Sequence, residues 1–357
     1  MRLAEGRARL RPTRLTLPYR IAGMRFDAAD IVTLILRDDG GREGYGAATP
    51  VPKLSGDDGP AAEAALREAM LPALAGRDLS DLDACLERAA AAAPGCRGAL
   101  AALDIALHDL HAKARGQPLV ELLGGARRRL FTSITLGLGE PEAMAEAARR
   151  HAAAGFRAIK VKIGEDATRD REALRRIRAA SGEQMAIRVD VNEGYGAEGT
   201  LGLGRELASL RIELVEQPAA AGDLEGLRRA TRELPMPVVA DESVRTAADL
   251  APLTAARAAR GANIKLMKCG GLAEARRIDA ALAGAGWKGL IGCMDESCAG
   301  IAAAAHFAAA AISAAWIDLD GHLDLESDPF RGGIELARGE LVLSRQPGLG
   351  VQPALVD

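Results

Sequence analysis

Three acidic residues, Asp190, Glu216 and Asp241, stand at the ends of three short apolar runs, AIRVDVN, IELVEQP and MPVVADES, spaced about 25 residues apart. That interval holds one strand, one helix and their two loops, so the runs read as consecutive strands of a parallel (β/α) barrel, whose strand ends share one face. A single acid at a strand end is ordinarily a solvated loop residue or a helix cap. Three in register converge, and three hard carboxylate ligands with room left for water and substrate suit an octahedral Mg²⁺.

The remaining sequence fits the same architecture. From about residue 128, eight strand-like runs alternate with helical stretches: LFTSITLGL, FRAIKVKIG, AIRVDVN, RIELVEQP, MPVVADES, ANIKLMKCGG, KGLIGCMDE and AAWIDLDG. Eight is the number that a closed parallel barrel requires. Residues 1–127 read instead as an α+β capping domain. Two strand-like runs, RARLRPTRLTL and ADIVTLILRDDG, precede alanine-rich helical segments around 60–75, 79–93 and 97–115. The barrel is expected over 128–329. Residues 330–357, with Gly332-Gly333 and the run ELVLSRQPG but no helix, are expected to return to the cap. The fold class is therefore α/β, a modified TIM-type barrel with an α+β N-terminal capping domain completed by the C-terminal segment.

A net charge of −3 points to neither a nucleic-acid nor a membrane surface. The stretch IAAAAHFAAAAISAAW is short for a membrane span and is carried by alanine, so it reads as a buried barrel helix with His306 as a packed core residue. The basic N-terminus lacks an apolar core and reads as a first strand rather than a signal peptide. Five cysteines, odd in number and without C-x-x-C spacing, indicate neither a disulfide framework nor a zinc site, but reduced thiols in a cytoplasm.

Lys160 and Lys162 on the second barrel strand are two residues apart and share a face. Lys265 on the sixth strand faces inward if Ile264 and Leu266 point out, and Lys268 beyond it reads as a loop residue. Strands two and six lie opposite each other in an eight-stranded barrel, so Lys162 and Lys265 would flank a substrate carbon held at the mouth. One removes a proton and the other delivers one to the opposite face, which inverts configuration. A lysine base must be neutral, and a metal ion with a second ammonium such as Lys160 would lower its pKa by like-charge repulsion. Proton loss next to a carboxylate builds an enediolate, whose charge a divalent cation and fixed cationic donors offset.

The motifs KVK at 160–162, D-x-N at Asp190 and Asn192, EQP at Glu216, ADES at Asp241 and NIKLMKCGG around Lys265 together resemble the enolase superfamily, in its muconate-lactonizing subgroup. The likeness runs over essentially the whole chain, and ALDIALHDLHAK at 102–113 resembles the helix that joins cap to barrel in that subgroup. The resemblance implies metal ligands Asp190, Glu216 and Asp241, catalytic Lys162 and Lys265, and Lys160 and Asn192 in support. It also implies Mg²⁺ and a homo-oligomer. The motif Asp318-Leu319-Asp320 on strand eight resembles the D-x-D with which dipeptide epimerases hold a substrate α-ammonium, and Thr135 on strand one is expected to contribute to substrate binding. The expected activity is inversion of the α-carbon of the C-terminal residue of a dipeptide. o-Succinylbenzoate synthesis, N-acylamino acid racemisation and cycloisomerisation remain as alternatives in the same subgroup, and a catalytically dead barrel as one outside it.

Specificity has two readings. Asp295 in CMDES, just past strand seven, favours a Lys or Arg at the C-terminal position of the dipeptide. Arg20 and Arg25, in a first cap loop expected over 18–28, would instead meet a substrate glutamate, as in the Ala-Glu epimerases. A second cap loop, expected over 47–56, would complete a mobile lid. One departure from the resembling pattern is Ala47, which follows Gly44-Tyr45-Gly46 where relatives often carry glutamate.

Overall fold

The computed structural model describes residues 1–126 and 129–354, so the expected boundary at 127/128 and the last three residues lie outside the described residues. The cap opens with a long antiparallel ribbon, β1 (Leu3–Ile21) and β2 (Met24–Asp38), joined by a tight turn at Ala22-Gly23, and β3 (Glu43–Ala48) adds a third strand. Gly23 has φ 71°, which suits the two-residue hairpin. The expected first cap loop is therefore the tip of a hairpin: Tyr19 pairs with Phe26, Arg20 with Arg25 and Ile21 with Met24. The sheet packs on the helix Arg97–Ala114, whose residues are nearly all buried. Gly44 and Gly46 allow this approach, because a Cβ on either would collide with the carbonyl oxygen of Ala106 or Ala102.

The barrel follows. β4 (Leu130–Phe131) stands outside it, and the eight barrel strands are β5 (Ile134–Leu136), β6 (Ala158–Lys162), β7 (Ala186–Asp190), β8 (Ile212–Glu216), β9 (Val238–Ala240), β10 (Gly261–Ile264), β11 (Lys288–Gly292) and β12 (Ala314–Asp318). All run parallel in sequence order, and the Ser133 N–H donates to the Ile317 carbonyl at 3.0 Å where the first strand meets the last. The expected strand LFTSITLGL is thus split, its first part pairing elsewhere. Inside the barrel a small apolar cluster of Leu214, Val239, Leu290 and Trp316 fills the layer below the mouth, while the main core lies between strands and helices. The helix Cys298–Ala310 is buried on nearly every side, and His306 within it accepts the Val120 N–H at 3.1 Å. No helix among the described residues is long and apolar enough to cross a membrane.

After the barrel, β13 (Phe330–Gly332) pairs with β16 (Val351–Pro353), while β14 (Ile334–Ala337) and β15 (Glu340–Leu343) form a sheet with β4. This segment lies at the seam. The buried Asp109 carboxylate of the cap helix accepts the Leu349 N–H at 2.7 Å and the Tyr45 N–H at 2.8 Å, and the Tyr45 and Phe330 rings meet with centroids 5.9 Å apart.

Candidate active site

Register sets the metal-ligand candidates level. Lys162 lies opposite Asp190 and Asp190 opposite Glu216, while Glu216 lies opposite Val239, two residues before Asp241. Since side chains alternate, all four residues project from the inner face. The carboxylates of Asp190, Glu216 and Asp241 are fully buried, with oxygens within 4.8 Å of one another. Backbone behind them is held in unusual conformations: Asn192, Glu193 and Gln217 have φ of 44°, 68° and 38°, in the left-handed region that non-glycine residues seldom adopt. Gln217 Oε1 accepts the Asp241 N–H at 2.8 Å, Asn263 donates to Glu216 Oε1 at 2.7 Å, and Asn192 N–H donates to Asp190 Oδ1 at 3.0 Å. Each acid is thereby aimed.

Four buried lysines face these acids. Lys160 Nζ lies 2.8 Å from Glu216, 3.2 Å from Asp190 and 2.9 Å from Asp318, contacts that are possible only from inside the barrel. Lys162 donates to Asp190 at 2.7 Å, and Lys265 lies 2.8 Å from Asp241. Lys268 corrects its expected place in a loop: it lies in the short helix Leu266–Cys269, is fully buried, and donates to the Asp241 carboxylate and to the Asn263 carbonyl. Burial alone would raise the Asp241 carboxyl, but Lys265 and Lys268 hold it well below the usual range. Burial and the neighbouring Asp190 push Glu216 up to about 7. Glu216 Oε2 and Asp241 Oδ2 are buried yet accept no hydrogen bond of good geometry, although ammonium groups lie 2.8 Å away. Two carboxylate oxygens with open lone pairs, beside a third carboxylate within 4.8 Å, fit a hard divalent cation.

Above this layer a cavity of about 770 Å³ separates the barrel mouth from the hairpin tip and the cap segment near Pro50–Leu54. Lys160, Lys162, Lys265, Asn192 and Glu242 line one side, and Thr135, Asp295, Asp318, Asp320 and Asp324 the other. Asp318 accepts from Ser133 at 2.6 Å as well as from Lys160; burial would raise its carboxyl, but Lys160 holds it at about 2. Asp320 accepts the Thr135 N–H at 2.6 Å and has no ion pair among the described residues; burial and the adjacent Asp318 push it up to about 8. Burial, then Asp324, pushes Asp295 up to about 7 against a hydrogen bond from Tyr19.

The cavity thus holds every expected site residue except Arg25 and the three metal-ligand candidates, which form the buried layer beneath it. For Arg25 strand alternation is the reason: Tyr19, Ile21, Met24 and Phe26 turn to the cavity, so Arg20 and Arg25 turn away. Arg25 is bound to Asp27 at 2.7 Å with 62% of its side chain exposed, and Arg20 reaches Glu165 at 2.5 Å. The sequence reading missed Asp324, which the single turn Gly321–Asp324 returns to the cavity, and Glu242, which accepts from Asn192 at 3.2 Å. The run DLDGHLD held the signal for Asp324, three acids within seven residues after one strand.

Residues 143–355 match the enolase C-terminal domain-like family, and residues 6–124 match the N-terminal domain of mandelate racemase / muconate lactonizing enzyme. The L-Lys-D/L-Arg epimerase of Methylococcus capsulatus is 42% identical over 98% of this chain and 99% of its own. A crystal structure of dipeptide epimerase from Methylococcus capsulatus, complexed with Mg and the dipeptide L-Arg-D-Lys, has a TM-score of 0.93 at 41% identity, covering 98% of this chain and 99% of that one. A substrate-liganded complex of the L-Ala-D/L-Glu epimerase from Bacillus subtilis has a TM-score of 0.96 at 34% identity over the full length of both chains. Matched in both segments and along nearly its whole length, the chain belongs to the mandelate racemase / muconate lactonizing enzyme family of the enolase superfamily, among its dipeptide epimerases.

Proposed function

We propose that this protein is a Mg²⁺-dependent epimerase of dipeptides whose C-terminal residue is Lys or Arg, with Asp190, Glu216 and Asp241 as the metal ligands. When bound there, Mg²⁺ supplies a Lewis acid for the charge that develops on the substrate's C-terminal carboxylate. Lys162 ends β6, Lys265 directly follows the opposed strand β10, and both line the cavity. The neutral amine of one takes the α-proton, and the ammonium of the other donates its proton to the opposite face of the enediolate. Burial would lower the Lys265 ammonium pKa, but Asp241 holds it above its ordinary range; engaging that carboxylate elsewhere frees the amine, with Lys160 as the nearby positive charge. Lys160 and Asn192 act in support.

The substrate end follows from charge. Asp318 already meets Lys160 and Ser133, so the substrate α-ammonium falls chiefly to Asp320, which Thr135 holds in place. Asp295 senses both Lys162 and Lys265, and so faces the side chain of the residue being inverted. The single observation that carries the reading is that Asp295 and Asp320, buried acids with no ion pair among the described residues, share a cavity with the lysines. An N-acyl or lactone substrate would leave them unpaired, and a glutamate side chain would meet Asp295, with Arg20 and Arg25 turned away. The setting we propose is a cytoplasmic homo-oligomer, consistent with five free cysteines and with the resemblance noted above.

Deuterium incorporation from D₂O into Lys-Arg, Ala-Lys and Ala-Glu in the presence of Mg²⁺ tests this. The cationic dipeptides are expected to lead by roughly fivefold to a hundredfold in kcat/KM, and exhaustive chelation to abolish exchange until Mg²⁺ is restored. Full activity after chelation, or Ala-Glu as best substrate with an unchanged ranking in Asp295→Leu, would overturn it.

A further inference from the structure

The acidic side of the cavity holds one carboxylate more than the reading above uses. A dipeptide with a cationic C-terminal residue brings two positive charges, the α-ammonium and one side chain, for Asp320 and Asp295. Asp324 remains. It ends the turn Gly321–Asp324, lines the cavity beside Gly321 and Leu323, and has no ion pair among the described residues. On the basis of the proposed function, we infer that Asp324 selects a cationic side chain on the amino-terminal residue of the dipeptide, separately from Asp295.

Position divides the two roles. Asp324 ends the turn that starts just after Asp320, where the Leu323 N–H donates to the Asp320 carbonyl at 2.9 Å, and it lies within electrostatic reach of both Asp320 and Asp295. Of Asp295 and Asp324, Asp295 is the one within reach of Lys162 and Lys265, between which the inverted α-carbon must sit. The ammonium and the amino-terminal side chain leave the same carbon. A carboxylate flanking Asp320 therefore stands at the amino-terminal side chain. The walls suit a long aliphatic cation: Leu17 and Leu323 line this part of the cavity while remaining exposed, at 73% and 41%, so a Lys or Arg stem can cover them. Burial holds Asp324 at about 6, so it is chiefly ionised at neutral pH and lacks a counter-charge. A dipeptide cationic at both positions supplies three positive charges to three carboxylates, and L-Arg-D-Lys is the ligand in the Methylococcus capsulatus structure.

The test is a kinetic comparison of Lys-Ala with Ala-Lys in the wild-type enzyme with Mg²⁺, in Asp324→Asn and in Asp295→Asn. The ratio of kcat/KM for Lys-Ala over Ala-Lys is expected to fall at least about tenfold in Asp324→Asn and to rise by a similar factor in Asp295→Asn. Because each ratio is taken within one protein sample, partial misfolding cancels. An unchanged ratio in Asp324→Asn, or a shift in the same direction in both variants, overturns the assignment while leaving the epimerase reading intact. A wild-type enzyme that exchanges no dipeptide α-proton overturns both.

Discussion

The two sides of the barrel mouth hold their charges differently. Around β6 to β10 the three metal-ligand candidates each meet a lysine: Asp190, Glu216 and Asp241 face Lys160, Lys162, Lys265 and Lys268 at hydrogen-bonding distance, while Glu242 beside them accepts from Asn192. Beyond β11 and β12, Asp295, Asp320 and Asp324 line the same cavity without an ion pair among the described residues. A buried charge is tolerated when paired and is raised toward its neutral form when not. On the proposed function, the paired side supplies the chemistry and the unpaired side, completed by the substrate, supplies the selection.

The largest effect should come from breaking the paired side. Lys162→Ala and Lys265→Ala are each expected to lose epimerisation by about 10²–10⁴-fold. Each should retain α-proton exchange for one epimer, with opposite preferences, read as deuterium incorporation into the separate epimers. Near wild-type interconversion in either variant would show that the two lysines do not divide the two faces.

An intermediate effect should come from the unpaired side. Asp320→Asn is expected to lower kcat/KM for free dipeptides by roughly tenfold to a hundredfold, and for N-acetylated ones much less. The carboxyl of Asp320 stands at about 8 in the folded protein, far above its ordinary range. The folded state thus holds that proton more tightly than the unfolded chain does. The resulting stabilisation is present at low pH and is lost as pH rises toward 8, while ammonium binding requires the ionised form. kcat/KM for free dipeptides should then rise from about pH 6 to 8, and the Asp320→Asn profile should lose that rise. Equal losses on both substrate types would remove the ammonium role.

The smallest effect tests whether selection extends to the lid. Arg20→Ala and Arg25→Ala are expected to leave the ratio of kcat/KM for cationic over acidic dipeptides within about twofold, as for surface charges generally. A rise of tenfold or more in that ratio, with Ala-Glu activity collapsing, would place an arginine in the cavity and return specificity to the hairpin.

The same contrast explains what could be read from the chain. The acids Asp190, Glu216 and Asp241 end apolar strands at regular intervals, and Lys160 with Lys162 alternates against Ile159, Val161 and Ile163, so period and position placed them before any coordinates. The hairpin tip hid its character because Pro18 and Gly23 signal a loop, while cross-strand pairing of Tyr19 with Phe26 depends on partners distant in sequence. That pairing also decided the fate of Arg25, since strand alternation turns it outward. Lys268 follows a strand end and looks solvated in sequence; only the short helix Leu266–Cys269 folds it back beneath Asp241. Asp324 returns to the cavity through one helical turn, a local geometry that no periodicity announces.

The carboxylate of Asp109 has a consequence for how the molecule comes apart. It belongs to a cap helix, yet its two oxygens are taken by a cap strand and by the returning chain near Leu349, and Lys113 neutralises it at 2.7 Å. Pulling the tail away would take one donor from a buried charge and bare the helix Cys298–Ala310, on which β13 to β16 rest. Cap, barrel and tail in this way share one set of buried contacts, so the hairpin tip over the cavity belongs to a cap that the last residues of the chain help to hold.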